Sequence, residues 1–285
     1  MSFEQSIELI DVETVLAECG PMRLAIRAWK DNRPQQELGR QAAEVSFTYL
    51  EAVAKHQAVL SKLAEDIQSL PEDDLAKRMV ESVRAVGDID LTPMAAVAGT
   101  IADAVADWLF NRGSTKVVVD NGGDISIRIA ANETVAVGIR PQITSLDLSH
   151  VANLDDRQPS WGVTTSGRGG RSFTRGIASA VTVIADNASI ADAAATSIAN
   201  ACFVEDDSIV QIPAEQMDLN TDLKGVNVTV DVGLLSPGKK IQAVQTALSK
   251  ADTLCRQKLI VGALVALEDV FVITKSVEEL ISPSN

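Results

Sequence analysis

The chain has 285 residues, of which 46% are hydrophobic and 22% charged, and its formal net charge is −14. That length supports a sizeable core, and the composition excludes a disordered chain. The acidic balance argues against non-specific binding to nucleic acid or to an anionic membrane surface.

In chain order, residues 6–10 and 22–29 alternate polar and apolar, as half-buried strands do, with Gly20-Pro21 marking a turn between them. From 36 to 67 the period becomes helical, with Ala42, Val45, Leu50, Val53, Ala54, Leu60 and Leu63 on the apolar face. A second helix is expected over 72–86, opened by Pro71 and acidic residues. Thr92 suits the cap of a third helix and Pro93 its first turn; Gly113 ends it beyond Phe110. Its run from 94 to 102 is small and apolar on nearly every face, so the helix is expected to be buried on most sides.

Strands are expected over 116–120, 125–129 and 134–139, with 140–160 loop-like and a further strand over 161–164. After the loop at 165–171, residues 180–185 read as a strand and 190–202 as a second small-residue helix. Strand signals follow at 226–232, 259–267 and 270–274, with a helix over 241–251. No Gly/Ser- or Pro-rich linker divides the chain, so one connected α+β domain over 1–285 is expected. The longest apolar stretch near the C-terminus, 259–267, falls well short of the roughly 20 residues of a spanning helix. The opening Met1-Ser2-Phe3-Glu4-Gln5 lacks a secretory pattern, and Cys19, Cys202 and Cys255 are scattered and odd in number. Reduced thiols in the cytoplasm are the expectation.

Three groups of residues offer chemistry. In Asn121-Gly122-Gly123-Asp124 the glycines allow a sharp turn or close approach to a ligand, and Asn121 and Asp124 suit a ribose or an amide edge. A type I′ hairpin turn is the plainer reading. The loop Thr165-Ser166-Gly167-Arg168-Gly169-Gly170-Arg171, extended by Arg175, gathers backbone N–H groups and guanidinium groups suited to a phosphate or carboxylate, unless it is only a solvated loop. It lacks the P-loop pattern. Asp192 and Thr196, four apart on a helix, share a face and offer a carboxylate and a hydroxyl to a hard cation such as Mg²⁺. Helix capping or packing is the alternative for Asp192. Of the two histidines, His150 sits in a loop and could act as an acid or base, plain exposure being the simpler reading, and His56 lies on a charged helix; two histidines exclude a His-rich metal site and leave few candidates for a triad.

Thr92-Pro93-Met94-Ala95-Ala96-Val97-Ala98-Gly99, Asn121-Gly122-Gly123-Asp124-Ile125, Thr165-Ser166-Gly167 and Ala191-Asp192-Ala193-Ala194-Ala195-Thr196 follow one another in the order and spacing of a known group. Over roughly residues 90–205 the chain resembles an uncharacterised UPF family related to the ApbE flavin transferases. The resemblance implies an ApbE-like, T-fold-like architecture of mixed sheets with buried small-residue helices. ApbE proteins bind FAD and Mg²⁺ and attach FMN to a threonine of a target protein. By that resemblance Gly122, Gly123 and Asp124 belong to a flavin site, Thr165, Ser166 and Gly167 precede a substrate loop, and Asp192 and Thr196 ligate the metal. ApbE proteins carry an H-x-x-D-P-x-T-G segment before the metal helix; this chain has Phe173-Thr174-Arg175-Gly176-Ile177-Ala178-Ser179-Ala180 there. The expectation is therefore an ApbE-like protein binding a phosphorylated or heterocyclic anion, with Arg168, Arg171 and Arg175 on anionic groups. Its alternatives are a non-catalytic ligand-binding or assembly subunit, or an enzyme acting on an N-heterocyclic ring. A homodimer is expected.

Overall fold

The computed structural model describes residues 4–143, 147–170 and 172–284. The chain opens with β1 (Gln5–Leu9), β2 (Thr14–Cys19), β3 (Met22–Lys30) and the short β4 (Arg33–Pro34). Helices α1 (Gln36–Lys55), α2 (Gln57–Leu60), α3 (Asp74–Val86) and α4 (Val97–Phe110) come next. Strands β5 (Lys116–Asn121), β6 (Asp124–Ile129), β7 (Thr134–Ile139), β8 (His150–Asp155), β9 (Ser160–Ser166) and β10 (Ala180–Ala185) lead into α5 (Ala188–Ala201). The chain continues with β11 (Ile209–Pro213), β12 (Asn227–Val232), α6 (Pro237–Arg256), β13 (Gly262–Leu267), β14 (Val270–Ile273) and β15 (Ile281–Pro283). This is the α+β class that the sequence predicts.

Two compact units divide the chain. The first comprises Met1–Val135, Leu154–Thr164 and Ala185–Asp192; the second comprises Ala136–Asn153, Thr165–Ile184 and Ala193–Asn285.

In the first unit β1, β2, β3, β5, β6 and β9 are neighbours in that order, each paired antiparallel to the next. Helices α1 and α4 pack on this sheet, and α3 packs on α1 and α4. Leu24, Ile26, Val117, Val119 and Ile127 of the sheet are fully buried, as are Ile101, Val105 and Leu109 of α4 or nearly so. Burial of each such side chain contributes on the order of 1.5–3 kcal/mol. Pro93–Phe110 has the length and apolar composition of a membrane-crossing segment, but most of it is buried inside this unit. It is a core helix.

The second unit contains the antiparallel run β10, β13, β14, with α6 packed on β13 and β14. A three-stranded sheet in the order β15, β8, β7 and the two-stranded pair β11 and β12 complete it.

Several elements depart from the sequence reading. The helix expected over 36–67 breaks at His56, where the polar run Lys55-His56-Gln57 interrupts the apolar face and the backbone leaves helical values. Strand β2 is buried on both faces at Thr14–Ala17, so it shows no alternation to read. The region 140–160 contains β8, paired to β15 through Ala152 and Ile281. The strand expected from 259 begins at Gly262, because Lys258 turns the chain with φ 60 after α6. That helix is longer than expected, starting at Pro237 under a Ser236 cap whose hydroxyl accepts from the Lys239 N–H.

Candidate functional site

Asn121–Asp124 forms the hairpin between β5 and β6. Asp120 pairs with Ile125, and Gly122 and Gly123 take φ 70 and 107, the left-handed values of a type I′ turn. The Gly123 N–H donates to Asp120 Oδ1 at 2.7 Å, so Asp120 braces the turn. Asn121 is buried, and its Nδ2 donates to the Ala98 carbonyl at 3.2 Å.

Helix α4 lacks a local cap. Residues Pro93–Ala96 form a 3-10 turn, α4 itself starts at Val97, and the Thr92 side chain makes no capping bond. The cap comes from elsewhere. Asp192 Oδ2 accepts the Gly99 N–H at 2.9 Å, and the Ala98 N–H also bonds to this carboxylate. The hairpin residue Asn121 and the candidate metal ligand Asp192 therefore attach to consecutive residues at one helix start. Burial pushes the Asp192 carboxyl up to about 7, against the two backbone donors, and the nearby Asp103 charge adds to the rise. The residue as a whole is intermediate in exposure, while its carboxyl is desolvated.

The reverse contact completes the arrangement. Asp103, on α4 and fully buried, accepts the N–H groups of Ala188 and Ser189 at 3.0 and 2.9 Å and the Ser189 hydroxyl at 2.7 Å. These are the first residues of α5. Ser126 Oγ donates to Asp103 at 2.7 Å, and Arg128 Nη2 reaches it at 3.2 Å while Nε bonds Asp107 at 2.8 Å. Neither Asp103 nor Arg128 stands out in the sequence: one lies in an alanine-rich helix and the other in an alternating strand.

Thr196 lies one turn beyond Asp192 on α5 and is partly exposed; its hydroxyl has no protein partner among the described residues. Both groups are hard oxygen donors, the class that Mg²⁺ prefers. The described residues contain no cluster of three His, Cys, Asp or Glu side chains able to hold a metal. A cation here would complete its shell with water or ligand phosphate, which is how Mg²⁺ is commonly held. On donor chemistry the pair fits.

In the second unit Thr165 and Ser166 end β9, and Thr165 Oγ1 lies 2.8 Å from Thr182 Oγ1. Gly167 takes φ 141, with carbonyls of Ala178 and Ser179 only 3.1 Å from where a Cβ would stand. The Arg168 N–H donates to the Ala178 carbonyl at 2.9 Å. Arg168 lines a cavity of about 530 Å³ in this unit. Arg175 does not line it; its N–H donates to Asn200 Oδ1, and its carbonyl accepts from Gln211 Nε2 at 2.8 Å and Thr229 Oγ1 at 3.0 Å. Arg171 lies outside the described residues. The expected arginine cluster is thus represented at the cavity by Arg168 alone among them. Gly176 permits a close approach to α5, since a Cβ there would stand 1.8 Å from the Ala199 carbonyl oxygen. His150 stacks on Phe271 with ring centroids 4.5 Å apart and does not line the cavity.

A family model described as AbpE bacteria matches residues 8–276. The UPF0280 protein of Methanothermobacter thermautotrophicus is 38% identical over 161 residues, 56% of this chain and 61% of that protein. The UPF0280 protein of Methanococcus aeolicus is 33% identical over 174 residues, 60% of this chain and 70% of that protein. The chain thus spans less than two thirds of the first relative's length, 61%. The flavinyl transferase ApbE of Pseudomonas stutzeri, in apo form, superposes with a TM-score of 0.50 at 14% identity, covering 98% of this chain and 97% of that one. A mutant of the flavin transferase ApbE from Vibrio cholerae gives 0.52 at 11% identity, covering 97% and 99%. At these identities the likeness establishes an ApbE-like fold.

Proposed function

The chain belongs to the AbpE bacteria family, and from that membership we propose that it binds a flavin nucleotide together with a divalent cation and performs ApbE-like flavin transfer. What supports this reading is that Asp192 and Thr196 lie four residues apart on α5, the Asp192 carboxyl desolvated and the Thr196 hydroxyl without a partner among the described residues. A desolvated carboxyl held at a helix start gains most from a cation, because the cation restores the charge that burial disfavours. Magnesium would supply charge neutralisation at phosphate oxygens and polarise a phosphoryl group. In this reading Asn121, Gly122, Gly123 and Asp124 border the flavin, and Thr165, Ser166, Gly167, Arg168, Arg171 and Arg175 serve the anionic part of the ligand. A homodimer in a reducing cytoplasm belongs to the same proposal; the three cysteines are free.

A second reading has its own support. The segment 173–180 contains no titratable side chain apart from Arg175, and its backbone is tied to the end of α5 through the Ile177 N–H and the Cys202 carbonyl. Without a base in that segment, the chain would bind its ligand without transferring it.

Isothermal titration with FAD and with FMN, each with and without Mg²⁺, on the wild type and Asp192→Asn, tests the first reading. Mg²⁺-dependent FAD binding that is lost in the variant supports it. No flavin binding under any condition sinks it.

A further inference from the structure

The cavity beside Arg168 has a sharper chemistry than a general anion loop. It lies wholly within the second unit and measures about 530 Å³, within the usual span of small-molecule sites. Its described lining contains one charged side chain, Arg168, and no Asp, Glu, Lys, His, Tyr or Cys. Among the described residues the Arg168 guanidinium has neither a hydrogen-bond nor an ion-pair partner, in a chain of net charge −14. A half-buried guanidinium without a counter-ion favours a ligand that brings the negative charge.

The other polar groups narrow the choice. Thr174 Oγ1 donates to Asn200 Oδ1 at 3.2 Å, Ser179 Oγ accepts from the Glu268 N–H at 2.9 Å, and Thr229 Oγ1 donates to the Arg175 carbonyl at 3.0 Å. These three hydroxyls each have a partner in the fold, and the side chains of Gln142 and Ser172 also line the cavity. Ile143, Phe173, Met217 and Val228 supply apolar lining beside the polar Gln142 and Ser172, and Phe173 is the one aromatic residue in the described lining. Arg168 is the single cation of the described lining, which suits one anionic group better than a polyanion.

We infer that this cavity binds a small organic anion, one carboxylate or phosphate group carried on an aromatic body, with the oxyanion on Arg168 and the ring against Phe173. The inference rests on the reading that the loop at 165–171 serves an anionic ligand, and it adds the ligand's class and the single residue that selects it. With no proton-transfer group in its described lining, the cavity recognises its ligand and does no acid–base chemistry on it.

The test is isothermal titration with phenyl phosphate, benzoate and the neutral benzamide, on the wild type and Arg168→Gln. Thermal unfolding of the variant should match the wild type, since the side chain has no partner among the described residues. At least one of the two anions should bind, with benzamide at least tenfold weaker, and Arg168→Gln should weaken the anion at least tenfold. Comparison of the two anions tells phosphate from carboxylate. Failure of both anions, equal binding of benzamide, or an unchanged affinity in Arg168→Gln overturns the inference. FMN titrated on the same samples separates the two readings. Phenyl phosphate binding without FMN binding would remove the flavin assignment and leave the cavity. FMN binding that ignores Arg168→Gln, with both aromatic anions failing, would remove the cavity alone.

Discussion

Asp103 and Asp192 each cap the helix that carries the other. Asp103, on α4, accepts the N–H groups of Ala188 and Ser189 at the start of α5, and Asp192, on α5, accepts the Gly99 N–H at the start of α4. The two helix starts carry partial positive charge, so each carboxylate meets donors and a favourable dipole at once. The exchange fixes the position of the candidate cation ligand through covalent and hydrogen-bonded links inside one unit.

The exchange needs Gly99. A Cβ there would stand 2.2 Å from the Ala188 carbonyl oxygen and 3.0 Å from Asp192 Cβ. Gly99→Ala therefore forces the helix starts apart and should cost about 2 kcal/mol or more. Urea unfolding measures this. A variant within about 0.5 kcal/mol of the wild type would show that the two helices do not meet this closely.

Arg128 is the counter-charge of the arrangement. It is 6% exposed and bonds both Asp103, fully buried, and Asp107. Arg128→Met removes the only cation on Asp103 among the described residues and should destabilise by about 3–5 kcal/mol. The double variant with Asp103→Asn should recover part of that loss, because the uncompensated charge is then gone. Strict additivity in the double-mutant cycle would contradict the pairing.

The thiols should differ in reactivity. Burial pushes the Cys202 thiol up to about 12, and it also raises Cys255, which is only half-buried. Alkylation needs the thiolate and access. Iodoacetamide at pH 8 should modify Cys255 before Cys202, with Cys202 reacting only in denaturant, as read by peptide mass spectrometry. Equal native rates would argue against the packing of the α5 C-terminus.

Acid should weaken one surface link in the second unit. Lys239 Nζ lies 2.8 Å from Asp206 Oδ2, and the Ser208 N–H and hydroxyl donate to its other oxygen. The Lys239 bond, then the Ser208 bonds, hold the Asp206 carboxyl well below its usual 3.8. A lowered value in the folded state stabilises above the unfolded value, and that contribution is lost as pH falls from about 4 toward the native value. Lys239→Gln should flatten the fall in urea midpoint below about pH 4. An unchanged acid limb would show that the pair contributes nothing, as many exposed pairs do.

The local features were legible and the long-range ones were not. Gly122 and Gly123 announce a turn because only glycine readily takes both φ values there. The small-residue character of α4 announces a helix buried on most sides. Its cap is hidden because Asp192 lies 93 residues from Gly99, and no local pattern encodes that contact. Arg128 alternates with Ile127 and Ile129 as a solvent-facing residue would, yet it points at the acidic face of α4. The arginine-rich loop reads as one cluster in sequence, whereas Arg175 does not line the cavity and its backbone is tied to Asn200, Gln211 and Thr229.

The most direct measurement of the central claim is a crystal structure of the protein grown with FAD and Mn²⁺, read by the anomalous signal of the cation. A peak at roughly 2.0–2.3 Å from an Asp192 carboxylate oxygen and the Thr196 hydroxyl, with flavin phosphate on the same ion, is the predicted result. Flavin bound with no cation at Asp192, or a cation that avoids both residues, would contradict it.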